Sequence, residues 1–248
     1  MTLETTRILG DVDISEIGSL LSDRARCRVL MALNDGRALS AGVLADEAGV
    51  ARSTASGHLG KLTEAGLLQV ETRGRNRYYR LAGDQVGELL EQLTRMAPAH
   101  PVHSLREGSR AQQLRSARTC YDHLAGRLGV SVMAALIERG YLEGGDGRRE
   151  PGDRPAGYGR DAQYALTTTG WDFLTRLGVQ IPESNRTLVR YCVDWSEQRH
   201  HVAGLLGRSL LQKFLTETWI RRRETGRSVQ VTEAGAAALH GEFGIVWS

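Results

Sequence analysis

At 248 residues, with 41% hydrophobic and 25% charged side chains, the chain has room for two domains with their own cores and the composition of a soluble globular protein. No apolar run approaches a membrane span and MTLETTRILG lacks the basic-then-apolar build of a secretory signal, so no membrane role and a cytoplasmic location are expected. Three scattered cysteines argue for a reducing compartment over a disulfide framework, and a net charge of +3 is by itself a weak argument for nucleic acid.

In chain order, Ile14 to Leu21 and Ala25 to Leu33 read as two helices. Ser40 is placed to cap a third, whose apolar side is Val43, Leu44 and Ala48, and Gly49 is placed to end it in the left-handed conformation. The next helix turns Ala55, Leu59, Leu62 and Ala65 inward. Its other side carries Arg52, Ser53, Thr54, Ser56, His58 and Lys61, groups suited to base edges and phosphates. After Gly66, Leu67 to Val70 and Tyr78 to Leu81 read as strands. Gly74 and Asn76 permit a tight turn between them, from which Arg73, Arg75 and Arg77 project toward phosphates or a minor groove. Asp84 to Met96 is amphipathic through Val86, Leu89, Leu90 and Leu93. Helix, turn, helix and basic hairpin in that order predict a winged helix-turn-helix that binds double-stranded DNA. Residues 1–96 hold 12 Lys/Arg against 13 Asp/Glu, so clustering of the basic groups carries this argument, not their total.

The segments SDRARCRVLMAL (Ser22 to Leu33), LADEAGV (Leu44 to Val50), SxHLxxLxxAGLL (Ser56 to Leu68) and GRNRYYRL (Gly74 to Leu81) resemble the ArsR/SmtB family of bacterial repressors over about residues 10–96. The resemblance implies a homodimer formed by the first and last helices of this region. It also implies that Ser53, Thr54, Ser56 and His58 sit at the DNA-facing end of the recognition helix. The chain departs from the family at Gly57, where many relatives carry a longer polar side chain. VLADEAG contains no cysteine and Gly83 to Met96 contains no Asp-x-His, so the family's usual metal sites do not carry over.

Pro98 and Pro101 break the helical pattern, which places a linker at 98–110 between an N-terminal domain (1–97) and a C-terminal one (111–248). The second half contains an echo: TCYDHLAGRLGV (Thr119 to Val130) matches YCVDWSEQRHHVAGLLGR (Tyr191 to Arg208) with an insertion. Each copy runs into a helix, a hairpin and a Thr-x-x-Gly helix start, giving repeats at about 111–182 and 183–248. The expected fold is therefore mainly α with small β-hairpin wings: a winged helix-turn-helix followed by two winged-helix-like repeats. Only nine residues separate Val130 from Gly140, against 15 between Val50 and Gly66, and many are apolar, so the later second helices read as short and buried. The basic run Arg221 to Arg223 reads as a solvated wing, with phosphate contact as the alternative.

Cys120, Asp122 and His123 fall close together, as do Cys192 and Asp194 with His200 and His201 behind them. These are ligand types for zinc and other borderline transition metals, and pseudosymmetric packing would let the two groups face each other. Packing and helix capping explain the same residues without any ligand. A small organic effector between the repeats, lined by Tyr121, Trp171 and Trp195, is the other sensor reading. Cys27 reads as packing. The sequence thus predicts a dimeric repressor released from its operator by an effector in the C-terminal domain. A constitutive or architectural DNA-binding protein and a DNA-binding head on a Cys/His enzyme are the alternatives; no nucleophile elbow, phosphate loop or zinc-hydrolase motif supports catalysis.

Overall fold

The computed structural model describes residues 13–97, 105–148, 164–223 and 226–248. The first unit comprises α1 (Ser15–Leu21), α2 (Arg24–Leu33), β1 (Leu39–Ser40), α3 (Ala41–Ala48), α4 (Arg52–Glu64), β2 (Leu68–Arg73), β3 (Asn76–Leu81) and α5 (Asp84–Met96). Its helix ends follow local chemistry. Asp23 accepts from the Arg26 N–H at 2.9 Å to start α2, and Ser40 accepts from Val43 N–H to start α3. Gly49, at φ 71°, closes α3 with its N–H on the Ala45 and Asp46 carbonyls. Leu30, Leu33, Leu44, Leu59, Leu62, Leu68 and Leu81 fill the core between these elements.

The antiparallel sheet has the order β1-β3-β2. Its ladder runs from Leu68↔Leu81 to Arg73↔Asn76, which leaves Gly74 and Arg75 as a two-residue turn with Gly74 at φ 61°. The strands are longer than the apolar pattern suggests, because the outer half of the hairpin is polar on both faces. β1 carries no pattern at all: two residues pair with Tyr78 and Tyr79 and tie the start of α3 to the wing.

The expected linker at 98–110 requires correction. Pro98 and Pro101 lie outside the described residues, but α6 (Leu105–Ser116) is already helical across the linker's second half. Gly108 is the one breaker in LREGSRAQQLRS, and Leu, Arg, Gln and Ala supply adequate helix propensity.

The second unit continues with β4 (Arg118–Cys120), β5 (His123–Ala125), α7 (Gly126–Glu138), β6 (Leu142–Glu143), β7 (Ala165–Leu166) and α8 (Thr168–Leu177). The third has β8 (Arg190–Val193), β9 (His200–Ala203), α9 (Gly204–Thr216), β10 (Ile220–Arg222), β11 (Val229–Val231) and α10 (Glu233–Ala238), which runs on as a π-helical turn. Both units follow one plan: hairpin, helix, hairpin, threonine-capped helix. Thr167 accepts from Gly170 N–H at 3.0 Å and Thr232 from Gly235 N–H at 2.9 Å, so the Thr-x-x-Gly signal marks the same helix start twice. The helix–wing–helix half of the first unit is repeated, but a hairpin stands where the first helix of a helix-turn-helix would be.

The second helices of the repeats differ from the expectation in length but not in burial. The helices α7 and α9 have 13 residues each, as α4 does, because they begin at Gly126 and Gly204, ahead of the apolar run. They are not short. They are buried, with eight buried residues each against three on α4.

The two repeats share one core, in which Leu128, Met133, Leu136 and Phe173 pack with Leu206, Phe214 and Phe243. They also interlock reciprocally. A Cβ at Gly129 would lie 2.4 Å from the Leu124 oxygen and 3.4 Å from His201 Cβ. At Gly207 it would lie 2.5 Å from the Val202 oxygen and 3.0 Å from His123 Cβ. Glycine at both positions lets each helix sit on its own hairpin and against the histidine of the other repeat.

The first and third units meet through charged groups. Glu91 on α5 pairs with Arg227 and accepts from Asn34 Nδ2 at 2.7 Å. Arg37 donates to the carbonyls of Arg223 and Gly226 at 2.9 and 2.6 Å, and Arg222 donates to the Asp35 carbonyl at 3.0 Å. The basic run is therefore partly committed to an internal contact: Arg222 faces the first unit, while Arg221 is exposed.

Candidate nucleic-acid interface and Cys/His cluster

On α4, Ala55, Leu59 and Leu62 face inward, and Arg52, Ser53, Thr54, Ser56 and Lys61 are exposed. No side chain caps its N-terminus at Ala51. Unpaired N–H groups and the positive end of the helix dipole are thus available to a phosphate there. Beside them Gly57 leaves open space, with no atom within 4 Å of where a Cβ would stand. The sixth expected contact is placed differently. His58 is only 15% exposed, and its Nε2 lies 4.0 Å from Asp23 Oδ1 at the start of α2. Position 58 lies three after Ala55 and four before Leu62, so it borders the buried stripe.

On the wing, Arg75 and Arg77 are exposed at and beside the turn. Arg73 is exposed too, but it is bonded to Glu71 at 3.0 Å and lies 5.3 Å from the centre of the Tyr78 ring. Glu71 also holds Arg80 at 3.2 Å. This glutamate sets the orientation of two of the wing's basic groups.

The second site lies where the repeats meet. In β4–β5, Cys120 pairs across the hairpin with His123; in β8–β9, Cys192 pairs with His201. The two hairpins thus present the same Cys–His cross-strand pair. Packed together, they bring one ligating atom from each of Cys120, His123, Cys192 and His201 to within 4.8 Å of one another, all four residues buried. The imidazole rings are 5.1 Å apart between centroids. Ala125 and Ala203 join the cysteines in one small buried cluster. Among the described residues neither His123 Nε2 nor His201 Nε2 has a hydrogen-bond partner, an expensive arrangement for a buried polar atom.

The outer nitrogens of both rings face carboxylates. His123 Nδ1 is 3.2 Å from Asp122, which also holds Arg186 at 2.8 Å. His201 Nδ1 is 3.3 Å from Asp194. Asp194 in turn accepts from Arg118 Nη2 at 2.8 Å, Gly126 N–H at 2.7 Å and Ser196 Oγ at 2.7 Å. Burial alone would raise the Asp194 value, but His201 and Arg118 outweigh it and keep the carboxyl ionised. Burial would likewise lower His123, yet Cys120 and Asp122 beside it push it up to about 10. The Cys120 thiol is pushed well up, first by its contact with Cys192 and then by burial.

The seven expected sensor residues therefore divide. Four converge as donors, and Asp122 and Asp194 stand behind the histidines. His200 does not join them: its Nδ1 meets Tyr164 Oη at 2.8 Å and its ring lies 4.2 Å from that of Tyr191. Neighbouring residues on a strand point to opposite faces, so His200 and His201 could not both reach the cluster.

Two spaces bordered by the described residues differ from the expected aromatic cleft. A cavity of about 40 Å³ beside the cluster is lined by Gly87, Glu91, Cys120, Tyr121, His123 and Cys192, among others. It admits a few waters, whereas organic ligand sites span roughly 300 Å³ or more. A larger open groove of about 440 Å³ runs between the first and third units past Asp35, Gln69, Arg80, Arg208, Gln212 and Arg222. Tyr121 reaches both spaces, but neither Trp171 nor Trp195 lines either. Trp171 is exposed on α8, and Arg118 lies over the Trp195 ring at 4.4 Å.

Arg118, Glu91 and Arg227, all buried, are functional candidates that the sequence reading missed. One signal was present. Arg118 precedes Cys120 by two positions, as Arg190 precedes Cys192, so the repeat extends one residue pair further back.

Comparison with known proteins bears on the whole chain. A helix-turn-helix domain family matches residues 21–71. Over 230 residues the chain is 41% identical to YdfF of Bacillus subtilis (strain 168), described as an uncharacterized HTH-type transcriptional regulator, spanning 92% of this chain and 95% of that protein. It is 36% identical over 86 residues to the HTH-type transcriptional regulator CmtR of Mycobacterium tuberculosis (strain H37Rv), covering 35% of this chain and 72% of the relative. The NMR structure of the cadmium metal-sensor CMTR from Mycobacterium tuberculosis aligns with a TM-score of 0.30 at 32% identity, over 37% of this chain and 99% of that one.

Proposed function

This chain belongs to the HTH-type transcriptional regulators, with an ArsR/SmtB-like DNA-binding unit, and from that premise we propose a homodimeric repressor that an effector in its C-terminal repeats releases from its operator. The observation that carries the DNA contact is the contrast among three helices of equal length: α4 leaves a polar face in solvent, whereas α7 and α9 bury theirs. Arg52, Ser53, Thr54, Ser56 and Lys61 would meet a major groove, and Arg73, Arg75 and Arg77 its flank. His58 acts through α2, as a support for the reading helix.

Exposed apolar side chains support the dimer. Ile14, at the start of α1, and Leu93 and Met96, at the end of α5, are exposed, and a second copy would cover them. Two recognition helices related by a twofold axis would then read a pseudo-palindrome. The repeats are proposed as a sensor, since the relative that matches this chain over nearly its whole length is a transcriptional regulator and the cavity of about 40 Å³ beside the cluster is small for an organic substrate.

The experiment is selection of bound duplexes from a random library by the full-length protein, followed by fluorescence anisotropy and sedimentation on the selected sequence. A palindromic consensus bound by one dimer is the expected result. Sequence-independent binding, or binding as a monomer, would overturn the proposal.

A further inference from the structure

We propose that Cys120, His123, Cys192 and His201 bind one divalent ion of the zinc class in tetrahedral coordination, and that this ion is the effector. The identity of the effector rests on the repressor reading above; the binding of the ion does not. The four donor atoms lie within 4.8 Å of one another. Tetrahedral metal–sulfur bonds of about 2.3 Å and metal–nitrogen bonds of about 2.0 Å place the donors about 3.3–3.8 Å apart, so the widest pair would close by about 1 Å on binding. His123 and His201 each contribute one ring nitrogen to this group of donors, and the Nε2 of each lacks a hydrogen-bond partner among the described residues, so a metal bound through them would satisfy both at once.

The surroundings are those of a ligand set. Asp122 is hydrogen-bonded to the outer nitrogen of His123 at 3.2 Å and Asp194 lies 3.3 Å from that of His201, so a metal would displace the proton on each inner nitrogen and leave each outer nitrogen against a carboxylate. Binding releases the two thiol protons to solvent, and the resulting two thiolates and a divalent cation sum to zero charge, which suits a buried site. Two sulfurs and two imidazoles favour zinc-class ions over magnesium or calcium, which prefer oxygen. Both cysteines, both histidines and both carboxylates come from two hairpins packed with the same register, so the site has its own pseudo-twofold symmetry.

A route to the reading head starts one residue away. Tyr121 donates its backbone N–H to the Asn34 carbonyl at the end of α2, and its ring packs against Gly87 of α5 closely enough to exclude a Cβ. An ion on Cys120 therefore fixes a hairpin that touches both the core of the first unit and the helix expected at the dimer contact.

The test uses the full chain, purified reduced, stripped with chelator and titrated with Co²⁺ and then Zn²⁺. One ion per protomer is expected, with intense tetrahedral d–d bands and a thiolate-to-cobalt charge-transfer band that Zn²⁺ abolishes. Cys120→Ser and Cys192→Ser should each remove about half of the charge-transfer intensity, and Cys27→Ser none. The unmodified protein decides the matter even if the variants fold poorly: no stoichiometric uptake, or a weak octahedral spectrum, overturns the site. So does loss of the band in Cys27→Ser. Operator affinity should fall about tenfold when stripped protein takes up Zn²⁺. Stoichiometric Zn²⁺ with unchanged affinity would overturn the ion's role as effector while the site stands. Uptake of Zn²⁺ by a protein that selects no DNA would instead sink the repressor reading.

Discussion

Glu91 on α5 and Arg227, 136 positions further along the chain, form a buried ion pair across the junction between the first and third units. Removing one partner strands the other charge away from water, which typically costs 3–5 kcal/mol, whereas replacing both with apolar groups can be neutral. Glu91→Ala and Arg227→Ala should each lower stability by about 3 kcal/mol in urea unfolding. The double variant Glu91→Leu, Arg227→Met should recover most of that loss. Additive losses in the double variant would show that the pair is not coupled.

The same carboxylate gives a pH dependence. Burial pushes the Glu91 value up, but Arg227 and Arg118 outweigh it and hold it below its ordinary value in the folded protein. A lowered folded value means that the stabilisation is present above the unfolded value of about 4.3 and is lost as pH falls through the folded one. The stability difference between the unmodified protein and Glu91→Gln should therefore be level between about pH 6 and 8 and shrink below about pH 4. A difference that grew on acidification would contradict the lowered value.

On the DNA side, Arg75→Ala and Arg77→Ala should weaken binding to all sequences and reduce the salt-dependence slope by about one each. Ser56→Ala should instead change the preferred operator, at about 1–3 kcal/mol for the affected position. For His58→Ala, melting should shift before sequence preference does, because the ring leans toward Asp23. Anisotropy titrations at several salt concentrations and on substituted operators separate these outcomes.

Two glycine classes should respond in opposite directions. Gly57 lies within a helix with open space around it, so Gly57→Ala should stabilise by about 1 kcal/mol, or roughly 2–4 °C in Tm. Gly129→Ala and Gly207→Ala would drive a methyl group into a backbone carbonyl and should cost about 2 kcal/mol each. Similar thermal shifts in all three would refute the interlocked packing of the repeats.

The first unit was largely legible because each signal is local: the Ser40 cap, the Gly49 stop, the Ala55–Leu59–Leu62 stripe and the turn at Gly74 each act within a few residues. β1 was not, since two residues paired to a distant hairpin leave no periodicity. The cluster was half legible. The repeat identified its cysteines, but a residue's partners in a sheet are set by register, and the eight residues between Cys192 and His201 hide a cross-strand pair that Cys120 and His123 show at a spacing of three. His200 looked equivalent to His201 because composition does not record which face of a strand a residue takes. The Glu91–Arg227 pair was invisible, as each charge taken alone reads as surface.

The reciprocal seating of each repeat against the histidine of the other has a consequence for mass action. Each hairpin alone is a bidentate half-site, and two separate chains carrying one such half would hold an ion only as long as they stayed associated. Joined in one polypeptide, with Gly129 and Gly207 keeping the halves in register, the second half binds at an effective concentration fixed by the fold. Occupancy would then follow the free metal level in the surroundings and stay the same however few copies of the regulator were present.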